Sequence, residues 1–137
     1  MLWHFFGQAN PKNRVFLHQE LFDMCYAWDG HHMMNHIAKG EKTVADWDKY
    51  IQEKQKKYES DDILMNFVDN HDENSWNGTT KGRLKGAEEA MTALSYITPG
   101  MPLVYSGDEY GLNHSLKFFE KDSIPKTKGK EWEWRAK

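Results

Sequence analysis

An amide, an imidazole and a carboxylate stand next to one another at Asn70, His71 and Asp72. A carboxylate can stabilise positive charge that develops on a substrate, and the amide and imidazole can hydrogen-bond polar groups of a ligand. The same residue types are also common in turns, because Asn and Asp bond to nearby backbone. These side chains could therefore take part in a reaction or stabilise a turn. The surrounding sequence indicates which of the two roles is favoured.

The segment that leads into this cluster is apolar on both faces. Residues 63–68 read ILMNFV, a short two-sided apolar run that predicts a strand buried within a parallel sheet. Such sheets hold the loops at the carboxyl ends of their strands rigidly, and those loops carry the chemistry of α/β folds. The position of the cluster therefore favours a functional role.

The rest of the chain predicts elements that would place this strand in the middle of a sheet. In order, they are a strand over residues 21–26, a helix over residues 43–58, the strand just described, a helix over residues 84–94 and a strand over residues 102–106. Helical crossovers of this length connect parallel strands. Residues 27–30 and 73–82 are predicted as loops. The acidic residues Asp29, Asp72, Asp108 and Glu109 are then expected at one edge of the sheet.

Helix boundaries are also indicated by the sequence. Thr43 and Asp46 have the spacing of a capping box at the start of the first helix. The second helix must end before Pro99, because proline excludes helical geometry from the preceding residue.

Two motifs in the same order resemble the α-amylase family, glycoside hydrolase family 13, in its bacterial type. FVDNHD, ending at Asp72, resembles the fourth signature region of that family, and PGMPLVYSGDEYG, starting at Pro99, resembles its eighth barrel strand. The resemblance implies the α/β fold of a partial TIM (β/α)8 barrel, a βαβαβ fragment equivalent to strands six to eight. It also implies a retaining glycosidase whose partner is an α-linked glucose oligosaccharide or polysaccharide.

The resemblance assigns roles to particular residues. Asp72 is implied to be the catalytic carboxylate that stabilises the oxocarbenium-like transition state, while His71 and Asn70 bind substrate. Trp76 and Trp28 are expected on loops at the same edge, where they either stack on sugar or simply pack. Residues 116–124 are expected to form cleft wall.

The glycines and Glu109 in the GDEYG sequence have a more structural interpretation. Gly107 and Gly111 are predicted to serve tight backbone geometry, and Glu109 a structural hydrogen bond.

The nucleophile and general acid of such an enzyme are implied to lie on strands four and five, outside the matched segment. The domain organisation expected is an unassigned segment over residues 1–20, the partial barrel over residues 21–124 and an unstructured tail over residues 125–137. The isolated chain is predicted to be inactive, and its uncovered sheet edges are expected to favour self-association.

Two other functions remain open. The chain could be a non-catalytic carbohydrate-binding or structural remnant, or, more distantly, a metal-dependent phosphohydrolase that uses His71 and Asp72 as a metal-binding pair. The histidines His31, His32 and His36 lack a ligand set that completes a zinc site, so surface or packing roles are favoured. No cofactor or metal ligand is assigned, although the complete enzymes of this family commonly bind calcium.

Composition excludes several classes of partner. A net charge of −3 and a pI near 6.1 give no basic surface for nucleic acid or an anionic membrane. A single cysteine, Cys25, cannot form an internal disulfide and is read as a packing residue. No signal peptide or transmembrane segment is recognised, and the localisation is left open.

Overall fold

Three parallel strands form the sheet of the computed structural model, which describes residues 24–60 and 62–137. The strands are β1 (Met24–Tyr26), β2 (Ile63–Phe67) and β3 (Met101–Leu103), with β2 in the centre. Met65 is opposite Tyr26 on one side and Met101 on the other. The predicted parallel α/β arrangement with its buried central strand is thus confirmed, while residues 21–23 of the predicted first strand lie outside the described residues.

Helices connect the strands and cover the sheet. They are α1 (Trp28–Ala38), α2 (Val44–Lys57), α3 (His71–Trp76), α4 (Thr80–Leu84), α5 (Glu88–Ile97) and α6 (Lys130–Arg135), and a 3-10 helix spans Asp108–Tyr110. Helix α2 begins at the predicted residue, where the Thr43 N–H donates to Asp46 Oδ2 over 2.8 Å. Helix α5 ends at Ile97, before Pro99, as predicted.

Two segments that were predicted as loops are helical, and those predictions were wrong. Residues 28–30 begin α1, whose backbone bonds start with the His31 N–H donating to the Ala27 carbonyl. The polar segment after β2 contains α3 and α4, because Asn70 and Thr79 each accept a backbone N–H through the side chain and so start a helix. Short polar sequences lack the apolar period that would have predicted these helices.

The helix predicted over residues 84–94 is interrupted near its start. Lys85 and Gly86 have φ angles of 50° and 96°, left-handed values that end α4 and separate it from α5. The third strand is also displaced, since it spans Met101–Leu103 and not residues 102–106.

The C-terminal segment contains a helix where no regular structure was expected. The Trp132 ring of α6 stacks on Tyr110 with centroids 5.4 Å apart, and Lys128 lies over the same indole. Because these contacts bury apolar ring surface, α6 is held against the 3-10 helix and is stabilised by packing that sequence periodicity does not reveal.

The core lies between the helices and the central strand. Its buried members come from α1, α2, α4, α5 and the residue after β2, and they are Met34, Trp47, Leu84, Met91 and Val68.

At the edge of this core, Gly100 has a φ of 133°, and a Cβ there would lie 2.2 Å from the Leu64 carbonyl oxygen. Glycine therefore lets the chain approach β2 closely enough for β3 to pair with it.

Among the described residues, none of the helices has the length and apolar character required to cross a bilayer.

Candidate functional site

Helix α3 carries the predicted residues His71, Asp72 and Trp76, and three residues separate its start from the end of β2. Asn70 is the N-cap residue, and its side-chain oxygen accepts the Glu73 N–H over 2.8 Å. Asn70 is 1% exposed, and its buried Nδ2 makes no hydrogen bond to any described residue. Asn70 thus fixes where α3 begins, which sets the direction of the side chains that follow.

His71 and Asp72 lie on the solvent side of α3. Their side chains are 49% and 39% exposed, and His71 Nε2 lies 3.5 Å from Asp72 Oδ1. Burial and the negative charge of Asp72 raise the pKa of Tyr26, the last residue of β1. The Asp72 carboxylate is therefore close enough to the carboxyl end of the neighbouring strand to act on it electrostatically.

Glu73 and Asn74 lie on the opposite, buried side of α3 and were not predicted as site residues. Glu73 Oε2 is 3.1 Å from His31 Nε2 and 3.6 Å from Arg83 Nη1. The Arg83 Nη2 donates to Asp69 Oδ1 over 2.7 Å, and these two side chains are 8% and 2% exposed. Glu73, His31, Arg83 and Asp69 form one charged group behind the exposed residues, which we call the buried ion cluster.

Arg83 also binds the backbone at the end of the central strand. Both of its terminal nitrogens donate to the Val68 carbonyl over 3.1 Å, and its Nε donates to the Gly78 carbonyl over 3.1 Å. One guanidinium thus joins β2, α3 and the connection to α4. Sequence reasoning missed it because Arg83 stands in a polar segment, and only the fold brings it to Asp69.

The pKa values within the buried ion cluster reflect competition between burial and charge. Burial raises the pKa of Glu73, but the hydrogen bond from His31 and the charges of His31 and Arg83 outweigh it, so the pKa lies below its usual value. For Asp69, burial raises the pKa and prevails over the opposing charge of Arg83. The cluster therefore depends on Arg83 as its permanent cation.

His31 and Trp28 pack beneath the site. The His31 imidazole stacks on Phe67 with centroids 4.5 Å apart, and its Nδ1 is 3.3 Å from the Phe67 carbonyl oxygen. Trp28 is 5% exposed and contacts Phe67 edge-on at 5.1 Å. Trp28 was expected on a loop at the sheet edge, but it starts α1 and its ring faces the interior, so its geometry agrees with the packing alternative.

The remaining histidines of α1 do not build a metal site in the part of the chain that the structure describes. His36 pairs with Glu41 at 2.5 Å on the surface, and nowhere in residues 24–60 or 62–137 do three His, Cys, Asp or Glu side chains come close enough to hold a metal ion. His32 has a pKa lowered by burial and by the neighbouring His31. These positions agree with the surface and packing roles favoured by the sequence.

Trp76, at the end of α3, is 62% exposed. Its ring lies 5.4 Å from Phe118 and 6.4 Å from Phe119, and the Phe118 ring lies 5.7 Å from the His71 imidazole. The exposed side of α3 is therefore continuous with the segment over residues 116–124 that was predicted as cleft wall.

The other predicted acidic residues have different surroundings. Asp29 is exposed and lies 3.9 Å from Lys57 Nζ. Asp108 is buried, and burial together with the charge of Asp69 raises its pKa to about 7. Asp108 Oδ2 has no hydrogen-bond partner among the described residues. Among Asp29, Asp72 and Asp108, Asp72 is the carboxylate that is both partly exposed and part of α3.

The glycine-rich turn after β3 has the predicted structural character. Gly107 and Gly111 have positive φ angles of 105° and 71°, and the Gly107 N–H donates to Glu109 Oε2 over 2.8 Å. A Cβ at Gly107 would lie 2.7 Å from Leu112. Glycine is needed at this turn because both the backbone angle and the space require it.

His71 and Asp72, the pair that a metal-dependent phosphohydrolase would use, occupy the first turn of α3. Within the described residues, this pair belongs to no group of three or more His, Cys, Asp or Glu side chains that could hold a metal ion.

Residues 8–133 match the family model described as alpha amylase, catalytic domain, which extends past the predicted range 21–124 at both ends. A search of curated proteins gave no match.

Solved structures with the same fold include two bacterial proteins. A noncanonic maltogenic α-amylase, AmyB from Thermotoga neapolitana, has 23% identity and a TM-score of 0.71, with 85% of this chain and 27% of that chain covered. An α-amylase from Lactobacillus plantarum has 26% identity and a TM-score of 0.61, with 74% and 24% covered. The chain thus spans about a quarter of the length of these structures.

Proposed function

Since the chain belongs to the α-amylase family, whose catalytic domain is a (β/α)8 barrel, we propose that it forms one wall of a sugar-binding active site. The reaction proposed is retaining hydrolysis of α-linked glucose oligomers or polymers by the complete barrel. The residues of this chain that face the sugar are Asp72, His71 and Trp76. The 137-residue polypeptide is expected to bind such a sugar without cleaving it.

The observation that carries this proposal is the position of Asp72. It is a partly exposed carboxylate in the first turn of α3, directly after the carboxyl end of the central parallel strand. Parallel barrels place their reacting groups at this end of the strands. Asp72 can therefore reach a ligand, whereas the neighbouring carboxylates Glu73 and Asp69 are buried at 6% and 1% exposure.

Asp72 would act electrostatically on the reacting sugar. When a glycosidic bond breaks, positive charge grows on the ring oxygen and anomeric carbon, and a fixed carboxylate stabilises this charge more than the neutral ground state. Because Asn70 and the buried ion cluster fix α3, Asp72 need not reorganise as the charge develops.

His71 would bind hydroxyl groups of the same sugar. Its ring nitrogens can donate or accept a hydrogen bond, and half of the side chain is open to solvent. Hydrogen bonds that tighten as the ring flattens toward the transition state lower the barrier further. Asn70 is buried at 1% exposure, so it would serve the site by starting α3 and not by touching the sugar.

The experiment measures binding and cleavage with the same purified chain. Calorimetric titration with maltohexaose should give measurable affinity, while assays for new reducing ends should detect no cleavage. His71→Ala and Asp72→Asn should weaken binding by roughly tenfold each, on the scale of a lost hydrogen bond to a charged or aromatic polar group. Asp48→Asn, an exposed carboxylate on α2, is the matched control.

Three results would change the proposal. Equal affinity of all variants would remove His71 and Asp72 from the sugar site. No binding at millimolar sugar would reject the site as proposed for this polypeptide. Cleavage that disappears in Asp72→Asn would overturn the expectation that the 137-residue chain is inactive.

A further inference from the structure

A cavity of about 320 Å³ lies between α4, the start of α5, the 3-10 helix and α6. This volume is at the lower end of the range of small-molecule sites, about 300–1,000 Å³. The residues assigned to the sugar do not line this cavity, so it is a separate site. Its charged lining residues are Lys81, Glu88, Glu89, Asp108, Glu131 and Arg135. We call this space the acidic cavity.

Close packing of α6 against the 3-10 helix forms one side of the acidic cavity. The Tyr110 and Trp132 rings stack with centroids 5.4 Å apart. Gly111 has a φ of 71°, and a Cβ there would lie 2.7 Å from Glu131 Cγ, so glycine is needed for α6 to come this close. Glu131 and Arg135 are one turn apart on α6, and both therefore reach the cavity that Asp108 lines.

Asp108 is a buried carboxylate with an unsatisfied oxygen. The residue is 7% exposed, and its Oδ2 has no hydrogen-bond partner among the described residues. The nearby buried carboxylate Asp69, by contrast, accepts hydrogen bonds from the side chains of Arg83, Asn74 and Thr80. Burying a carboxylate oxygen without a donor is unfavourable. A ligand that donates a hydrogen bond to Asp108 Oδ2 would remove this cost.

Arg135 contributes the complementary group. Its Nε is buried and donates no hydrogen bond to any described residue. The charge of Arg135 lowers the pKa of Asp108 against the effect of burial, which places the two side chains close together. The acidic cavity is thus lined by an acceptor and a donor of opposite charge, and each lacks a partner.

The charge of the whole lining narrows the class of ligand. Its four carboxylates and two cations leave a formal charge of −2 when all are ionised. An excess of negative charge favours a ligand with a net positive charge. In the part of the chain that the structure describes, no three His, Cys, Asp or Glu side chains are arranged to hold a metal ion, so an organic cation fits better.

We propose that the acidic cavity binds a free α-amino acid with a basic side chain. The ammonium group on its Cα would donate to Asp108 Oδ2, and its carboxylate would accept from Arg135 Nε. The cation at the end of the ligand's side chain would lie toward Glu88, Glu89 and Glu131. Every charged group of the ligand then has an oppositely charged partner, and both unsatisfied atoms of the protein are bonded.

Affinity should depend on the ionisation of Asp108. Burial and the charge of Asp69 raise its pKa to about 7, against the opposing charges of Arg135 and Arg83. Because an ammonium group binds the ionised form, affinity should be about tenfold higher at pH 8 than at pH 6. Tyr105 also lies near Asp108. The other charged groups of the cavity are Lys81, Glu88, Glu89 and Glu131.

The first test is calorimetric titration of the purified chain with L-lysine at pH 6 and pH 8. Saturable binding is expected, with the tenfold preference for pH 8. Asp108→Asn should lower the affinity at pH 8 by about tenfold or more and remove the pH dependence. Glu133→Gln is the matched control, because Glu133 is an exposed carboxylate on α6 that does not line the cavity. It should change neither the affinity nor its pH dependence.

The second test examines the contact with Arg135. The ligand 1,5-diaminopentane is lysine without its carboxyl group, so it cannot accept a hydrogen bond from Arg135 Nε. The ratio of lysine affinity to diamine affinity at pH 8 should fall by about tenfold in Arg135→Gln relative to wild type. Circular dichroism of each variant checks that the fold is intact.

Each contrary result overturns a defined part of this proposal. No saturable lysine binding by the wild-type chain at millimolar lysine would reject the site and leave a cavity that holds solvent only. Equal lysine affinity in wild type and Asp108→Asn, or a pH dependence that persists in the variant, would reject the contact with Asp108. An unchanged affinity ratio in Arg135→Gln would reject the contact with the ligand carboxylate. Sugar binding at α3 is tested separately and is unaffected by any of these results.

Discussion

The two faces of α3 differ in almost every property although they belong to one helix of six residues. Toward solvent, His71, Asp72 and Trp76 are partly or largely exposed and make few polar contacts. Toward the core, Glu73 and Asn74 are buried and hydrogen-bonded. The buried face fixes the helix, and the exposed face is left free to bind a ligand. Stability and function should therefore respond to different substitutions only one residue apart.

The largest expected effect comes from removing the cation of the buried face. Arg83→Ala leaves Asp69 and Glu73 buried without their permanent counter-charge, and breaking such a group costs about 3–5 kcal/mol. Urea unfolding followed by circular dichroism should show this loss, or no folded chain at all. Lys81→Ala, at an exposed position of the same helix, should change stability by less than about 0.5 kcal/mol. Equal stability of the two variants would mean that Arg83 does not hold the cluster together.

Asp108, a third buried carboxylate, should make the stability of the chain depend on pH. Its pKa in the folded chain is about 7, above the ordinary value of 3.8, so the folded state binds a proton that the unfolded state releases. Its contribution to stability is complete below pH 3.8 and is lost as the pH rises through 7.

Asp108→Asn removes this titration and should stabilise the chain at pH 8 by roughly 2–4 kcal/mol relative to wild type. Thermal unfolding at pH 4 and pH 8 measures the difference between the two proteins. A wild-type and variant pair with parallel pH profiles would contradict the assigned pKa.

A smaller effect is expected where His31 meets Glu73. His31→Phe keeps an aromatic ring against Phe67 but removes the hydrogen bond to Glu73, which should cost about 1–2 kcal/mol. The pKa of Glu73 should rise, because His31 is the strongest of the influences that lower it. The stability that Glu73 provides is present above its unfolded pKa and is lost as the pH falls through its folded pKa. In the variant this loss should begin at higher pH.

Carboxyl chemical shifts measured across pH 2 to 7 by NMR would follow Glu73 directly, with His36→Phe on the surface of α1 as the control. An unchanged Glu73 titration in His31→Phe would contradict the pairing seen between these side chains.

The smallest effect on stability is expected on the exposed face. Asp72→Asn removes one charge from the first turn of α3, where a negative charge is favourable by at most about 1 kcal/mol. The same substitution should weaken sugar binding clearly, so function and stability separate at this residue. A loss of stability comparable with that of Arg83→Ala would show that Asp72 is part of the structural scaffold.

The sequence predicted the parts of this arrangement that depend on local pattern. The apolar run over residues 63–68 predicted the central strand, and Thr43 with Asp46 predicted the start of α2, because both signals lie within a few residues of the structure they specify. The His71 and Asp72 pair was found from its position after that strand. Its role in sugar chemistry stays a prediction.

The parts that were missed depend on contacts between distant residues. Arg83 contacts Asp69, and His31 contacts Glu73, only because α1, α3 and α4 pack together. The spacing of these residues in the sequence does not predict either pair. The burial of Trp28 has the same cause, since its ring is covered by residues of β1 and β2. The positions of Arg83, His31 and Trp28 depend on tertiary packing, which the local sequence pattern does not predict.

Locating bound sugar on α3 tests the proposed site most directly. Backbone and indole N–H signals of the labelled chain are followed by NMR while maltohexaose is added. If the exposed face of α3 binds sugar, the signals of His71, Asp72 and Trp76 shift together and saturate, while the Arg83 Nε–H signal stays in place. Saturable shifts confined to other surfaces, or no shifts at millimolar sugar, would contradict the claim that the exposed face of α3 is a sugar site.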